Sequence, residues 1–287
     1  MKTIKQLILY LIIAITTLPV MAQRQKPVKT RVMTFNIRLE NKNDGINNWE
    51  MRYQKVGEFI LKQKVDIIGL QEVKQIQLED LKKAMPDYDC VGVARDDGKQ
   101  KGEYNPVFYN KKKFNLVNHG TFWLSETPLQ PSRGWDAACN RIATWAILQD
   151  KETMKNIVFV NTHLDHVGKK ARANSASLIK ERLGRMLNEL PLVVTGDFNV
   201  DDTDPVYNKV LTGIFPLNDT WKKAPTSKGP AYTFHDFGKI SPQQAKKIDF
   251  IFTSPKIKIK KATIIDTTLG DGLYLSDHNA HSADIIF

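Results

Sequence analysis

The residues best suited to chemistry centre on Asp197 and Asn199, in the run Leu192-Val193-Val194-Thr195-Gly196-Asp197-Phe198-Asn199. Three apolar, largely β-branched residues read as a buried strand, and Thr195-Gly196 bring it to an end. In extended backbone, residues two apart point the same way, so this carboxylate and carboxamide face one point together. A polar pair at the end of a buried strand is costly to leave unpartnered, so it binds something. An Asx-type turn that caps the strand explains the same two residues equally well.

Other strands of the same kind break the tie. Val32-Met33-Thr34-Phe35 runs into Asn36, and Ile67 to Gln71 runs into Glu72. Ile157-Val158-Phe159-Val160 runs into Asn161-Thr162-His163, with Asp165 and His166 just beyond, and Ser276-Asp277-His278 comes near the end. Hard oxygen ligands with few imidazoles and no paired thiols suit Mg²⁺, Mn²⁺ or Ca²⁺ better than zinc. Asp249 lies inside the apolar strand Lys247-Ile248-Asp249-Phe250-Ile251-Phe252. A buried acid needs a partner there, and His278 is the natural one.

The motifs FNIR, LQEV, NTHLDH, GDFN, KKIDFIF and SDH, in that order, resemble the endonuclease/exonuclease/phosphatase family, which includes DNase I-like nucleases. The resemblance spans roughly Arg31 to Phe287. It implies an α/β fold in a four-layer αββα sandwich: two mostly antiparallel sheets face to face, helices outside, and the site at the strand ends. It also implies a metal-dependent phosphoric ester hydrolase. In that reading Glu72, helped by Asn36 and Asp277, holds Mg²⁺ (or Mn²⁺ or Ca²⁺), which neutralises charge building on phosphate oxygens. Asp197 orients and deprotonates the attacking water, and Asn199 fixes its geometry. His278, paired with Asp249, donates to phosphate or serves as acid. His163 supplies a second donor and is oriented by Glu103; Asn161 assists, and Arg141 matches an arginine that approaches substrate phosphate.

Substrate is less constrained. Thr195 before GDFN, Asp201 after it and KKIDFIF disfavour the inositol 5-phosphatase branch. His163 sits closer to DNase I and sphingomyelinase than to abasic-site enzymes, which use tyrosine there. A phosphodiesterase on nucleic acid leads, and a lipid or small-molecule phosphoesterase of sphingomyelinase-like kind is the alternative. A binding protein on an inactive scaffold is a third reading, which intact Glu72, Asp197, Asp249 and both histidines argue against.

The elements that must position these residues follow from periodicity. Trp49, Tyr53, Val56 and Ile60 recur at helical spacing, as do Leu78, Leu81 and Met85 before Pro86. Ala176, Ile179, Leu183, Met186, Leu187 and Leu190 form a third stripe, which Pro191 ends. Arg52 reads as a solvated surface arginine in preference to one that meets a substrate phosphate, Gly168 to Arg172 as a basic, flexible stretch, and Asp201 to Asp204 as turn and N-cap acids. His235 and its aromatic neighbours either contact substrate or pack a loop. Pro255 to Lys261 alternates lysine with isoleucine, the pattern of a protected edge strand.

At the N-terminus, Lys2 and Lys5 precede an apolar core from Leu7 to Val20, and Val20-Met21-Ala22 reads as a cleavage site. About 14 apolar residues fall short of the ~20 that a spanning helix needs. Residues 1–22 are therefore expected to be a signal peptide and 23–287 one domain, exported to the periplasm or beyond, without a stable membrane anchor, and monomeric with no evident protein partner. The formal charge of +11, about +9 without Lys2 and Lys5, favours polyanionic or phosphorylated substrates. Cys90 and Cys139 are the two cysteines. Cys90 lies in an apolar run that suits a buried free thiol, and pairing stays open.

Overall fold

The structure is a computed structural model and describes residues 26–187, 190–213 and 215–287. The expected signal peptide lies outside the described residues, as do the side chains of Met186 and Leu187.

The strands in chain order are β1 (Lys29–Asn36), β2 (Ile67–Gln71), β3 (Tyr88–Val91), β4 (Val107–Asn110), β5 (Phe114–Trp123), β6 (Ile142–Asp150), β7 (Asn156–His163) and β8 (Leu192–Asp197). They continue with β9 (Asn218–Asp219), β10 (Ser227–Lys228), β11 (Asp249–Thr253), β12 (Lys258–Ile265), β13 (Thr268–Gly270), β14 (Leu273–Tyr274) and β15 (Ala280–Ile286). The helices are α1 (Trp49–Gln63), α2 (Gln75–Ala84), α3 (Lys169–Leu187), α4 (Pro205–Leu211) and α5 (Thr220–Lys223).

One large sheet has the order β10-β12-β15-β1-β2-β4-β3 and the other β5-β6-β7-β8-β11-β9, while β13 and β14 form a small ribbon of their own. Most neighbours are antiparallel; β1–β2, β7–β8 and β10–β12 are parallel. Val32, Ile67, Phe159, Val193, Ile251 and Ala283 meet in a core between the sheets. Val56, Ile60, Leu78 and Leu81 of α1 and α2 cover the outer face of the first sheet, against Met33, Phe35 and Ile68. Ile179, Leu183, Val206 and Val210 of α3 and α4 cover the second, against Val158, Val194 and Phe252. The result is a four-layer αββα sandwich. Because β2 is sandwiched between two cores, all five of its residues are buried, and Ile67 to Leu70 read as an unbroken apolar run rather than an alternation.

Helix α1 begins where the Asn48 side chain accepts from Met51 N and ends at Lys64 in left-handed backbone. Its buried face carries Trp49, Arg52, Val56 and Ile60, so Arg52 is not a surface residue. The Arg52 guanidinium is 2% exposed and donates to the carbonyls of Asn47, Ile37, Arg38 and Leu275. Four backbone acceptors satisfy a buried cation without a carboxylate, and burial pulls its pKa down to about 10. Arg172, expected in a flexible stretch, is also buried, and donates to Asp165 O from the first turn of α3. Asp204 caps α4 and Asp201 closes a turn on Thr203, as their sequence positions suggest. The lysine–isoleucine alternation falls on β12, one place in from the edge, with the two-residue β10 outside it. Both cysteines are free and half-buried.

A polar clamp joins the sheets. Asn161 is fully buried; its amide donates to Leu70 O (2.7 Å) and Pro106 O (3.1 Å). Its carbonyl accepts from Gln71 Nε2 (2.6 Å) and Thr195 Oγ1 (3.2 Å). Gly69 makes room for this contact, since a Cβ there would lie 2.4 Å from Asn161 Oδ1 and 2.5 Å from Thr195 Oγ1. Gly69→Ala is therefore expected to cost about 1–3 kcal/mol by overpacking, read as a lower denaturation midpoint. An unchanged midpoint would show that the clamp yields without cost.

Candidate active site

Six strand ends meet at one rim of the sandwich. The C-terminal ends of β1, β2, β7 and β8 deliver Asn36, Glu72, His163 and Asp197; the N-terminal ends of β11 and β15 deliver Asp249 and, just before β15, Asp277-His278. Register sets the row in the second sheet: Asp197 is paired with His163 across the parallel β7–β8 ladder and with Asp249 across the antiparallel β8–β11 ladder. Gly196 permits that approach, because a Cβ there would fall 2.1 Å from Thr162 O.

Asp197 Oδ1 accepts from Asn199 N (2.9 Å), so the Asx turn forms. Asn199 is in left-handed backbone (φ 51°) instead of the expected extended form, since the strand ends at Asp197. The turn still aims Asn199 Nδ2 at His163 Nε2 (2.9 Å), while Asp197 Oδ2 lies 3.5 Å from that nitrogen. The two explanations of this pair are thus not exclusive, because the turn is what builds the cluster.

His278 Nδ1 lies 2.8 Å from Asp249 Oδ2, and its Nε2 lies 3.8 Å from Asp197 Oδ2. Burial opposes a charge on this imidazole, but Asp249, Asp277 and Asp197 outweigh it and push the pKa up to about 10. Burial and the neighbouring Asp249 raise Asp197 to about 7, with His278 pulling the other way. A carboxylate poised near neutral pH is suited to take a proton from water. His163 is the opposite case: burial and the nearby Arg141 and Arg95 hold it well below the usual histidine range, so it is neutral. As Asn199 donates to its Nε2, the proton sits on Nδ1, which is buried and has no hydrogen-bond partner among the described residues.

Around this row lies a cavity of about 480 Å³. Glu72, Asp277, Asp197, His163 and His278 line it, with Arg38, Arg95 and Arg141. Burial and the proximity of Glu72 raise the Asp277 pKa, a crowding of acids that a bound cation relieves. Glu72 and Asp277 offer hard oxygen donors of the kind a divalent cation takes. Asp197, Asp249 and His278 also carry ligand-type atoms within 4.8 Å of one another. His278 Nδ1 and Asp249 are already engaged with each other at 2.8 Å, which favours the Glu72 and Asp277 side. Asn36 bridges the two regions, donating to Glu72 Oε1 (3.0 Å) and Asp197 Oδ2 (3.1 Å), while its carbonyl accepts from Arg38 N.

Two expected positions differ. Glu103 lines the cavity but takes the Arg95 guanidinium (2.7 Å) instead of orienting His163, whose Nδ1 stays unpaired. A cation is a stronger partner for a buried carboxylate than a neutral imidazole. Asn161 is spent on the clamp between the sheets, and its two amide donors and carbonyl oxygen are all engaged within the protein. Arg141 does line the cavity, fixed by Asp165 (3.3 Å) and His166 (3.0 Å). Sequence reasoning gave no role to Arg38 or Arg95. Arg38 had a signal, standing two residues after Asn36 in FNIR; Arg95 sits in a Gly- and Lys-rich loop that carries none. His235 is buried and packs its ring against Tyr274, whereas Phe234 beside it lines the cavity.

Residues 33–278 match the model of the endonuclease/exonuclease/phosphatase family. Among solved structures, a family member from Bacteroides vulgatus is 46% identical, with a TM-score of 0.87, covering 90% of this chain and 98% of its own. The mannosyl-6-phosphatase of Bacteroides thetaiotaomicron is 36% identical, with a TM-score of 0.83, covering 90% and 100%. Nocturnin from Xenopus laevis is 27% identical over 228 residues, 69% of this chain and 55% of its own length. The chain thus spans about half the length of the curated vertebrate nocturnins it matches.

The geometry predicts that Asp277→Asn weakens Mn²⁺ binding by about 10-fold or more in calorimetric titration, while Asp249→Asn weakens it far less. Equal losses would place the ion among Asp197, Asp249 and His278 instead.

Proposed function

The chain belongs to the endonuclease/exonuclease/phosphatase family and is a divalent-metal-dependent phosphoric ester hydrolase; from that premise we propose that its substrate is a phosphomonoester of a small, sugar-like alcohol. The observation that carries this reading is the set of three arginines, Arg38, Arg95 and Arg141, lining one compact cavity beside the charged His278. A terminal phosphate carries nearly two negative charges and a diester carries one, so a dense cation set favours the monoester. Each arginine is fixed by a carboxylate, Arg38 by Asp44, Arg95 by Glu103 and Arg141 by Asp165. A guanidinium has five N–H donors, and such a pairing uses only some of them. The resemblance to a mannosyl-6-phosphatase over almost the whole of both chains supports the same class.

In this reading Glu72, Asp277 and Asn36 hold Mg²⁺, which supplies Lewis-acid charge neutralisation at phosphate. Asp197 takes the proton of the attacking water, with Asn199 fixing its position. His278 donates to the phosphate or to the leaving oxygen, and neutral His163 accepts from Asn199 and so holds that carboxamide beside Asp197. Nucleic acid, the class that leads from sequence, is the second reading, favoured by the formal charge of +11. We also propose that residues 1–22 are a leader removed during bacterial export to the periplasm or beyond. Among the described residues no helix is long and apolar enough to cross a membrane.

The test is a substrate panel with Mg²⁺ or chelator, run beside Asp197→Ala: hexose 6-phosphates, an aryl phosphate, an aryl phosphodiester, single- and double-stranded DNA, RNA and sphingomyelin. Phosphate is expected from the monoesters, abolished by chelator and reduced about 10²–10³-fold or more in the variant. Cleavage confined to nucleic acid would overturn the substrate assignment and leave the hydrolase in place. Mature protein from a bacterial host is expected to begin at Gln23; an intact N-terminus would overturn the export proposal.

A further inference from the structure

One acidic residue at the cavity has no place in the phosphate chemistry described above. Asp236 lines the cavity, and among the described residues its side chain pairs only with the exposed Lys239 (3.2 Å). It stands at the first central position of a tight turn closed by Gly238 N on His235 O (3.0 Å). Both central residues are left-handed, Asp236 at φ 47° and Phe237 at φ 53°. Aspartate tolerates that backbone, but phenylalanine is poorly suited to it. The turn persists because its surroundings over-determine it. The His235 imidazole accepts a second contact from Gly238 N (3.2 Å), and the His235 and Phe237 rings both pack on Tyr274. Backbone held in a costly conformation at the wall of a reactive cavity points to a use for what it presents.

A carboxylate only accepts hydrogen bonds and repels phosphate, so Asp236 suits the other part of the substrate. Two carboxylate oxygens match a pair of adjacent hydroxyls. Phe234, two residues away, lines the same cavity with its ring centroid 4.9 Å from that of His278. An aromatic face for C–H groups beside an acceptor for hydroxyls is the chemistry that holds a sugar ring. We propose that Asp236, presented by the His235–Gly238 turn, reads the hydroxyls of the leaving group and makes the chain selective for polyhydroxylated phosphomonoesters. This rests on the phosphomonoesterase reading above.

The test compares kcat/KM on a hexose 6-phosphate with that on 4-nitrophenyl phosphate, which lacks sugar hydroxyls. Asp236→Gly removes the carboxylate while suiting left-handed backbone better than aspartate does, so the turn keeps its shape. The ratio of the two kcat/KM values is expected to fall by about 10-fold or more, carried by KM for the sugar phosphate. Asp236→Asn, which keeps one acceptor oxygen, should fall between. A ratio within twofold of wild type in both variants would overturn the assignment of Asp236 and leave the phosphomonoesterase reading intact. If wild type hydrolyses neither monoester but cleaves nucleic acid, both readings fall together.

Discussion

The site depends on placing a cation between two buried carboxylates. Asp197 and Asp249 face one another across adjacent antiparallel strands, and both are buried. Like charges so placed cannot both stay ionised unless something lies between them. His278 does this, with one ring nitrogen on Asp249 and the other towards Asp197. The imidazole comes from the other sheet, so the pairing exists only while the two sheets hold their relative position. Asn161 ties the sheets internally, and the Thr233 hydroxyl accepts from the backbone N–H groups of Ile248 and Asp249. Arg52 gathers carbonyls from the chain after β1 and from Leu275, just before the Ser276-Asp277-His278 segment.

The division of labour follows from where each group is held. The second sheet brings Asp197 and neutral His163; the first brings Glu72 and Asp277, whose crowded acids suit a divalent cation. The two histidines have opposite protonation for physical reasons: three acids surround His278, whereas burial and two arginines act on His163. One cleft therefore offers a carboxylate poised near neutrality, a charged donor and a neutral imidazole that fixes Asn199. This is the set that in-line attack on phosphorus requires: a proton acceptor for water and fixed positive charge for the oxygens that gain charge.

Much of this was legible in the chain. Strands that end in an acid, amide or imidazole are visible because apolar runs are easy to see and their polar termini are not expected by chance. The Asp249–His278 pairing followed from the cost of an unpartnered acid in a strand. The partner of Glu103 and the place of Asn161 are different. Glu103 and His163 were paired by analogy, but a partner depends on which cation the fold brings nearer, and Arg95 arrives from a loop without periodic signal. Asn161 lies in the same motif as His163 and faces the sheet interface deeper in the strand, which only the register reveals. Arg52 carried a signal that charge obscured: with Trp49, Val56 and Ile60 it falls on one helical face.

The central claim, that His278 is a cation held by Asp249 against Asp197, is tested most directly by ¹⁵N NMR of its imidazole in the metal-free protein. Both ring nitrogens are expected to be protonated at pH 7 and through pH 8, in keeping with a pKa near 10, and one should lose its proton in Asp249→Asn. A wild-type His278 already neutral at pH 7 would contradict the account, because the two facing carboxylates would then need another source of compensation.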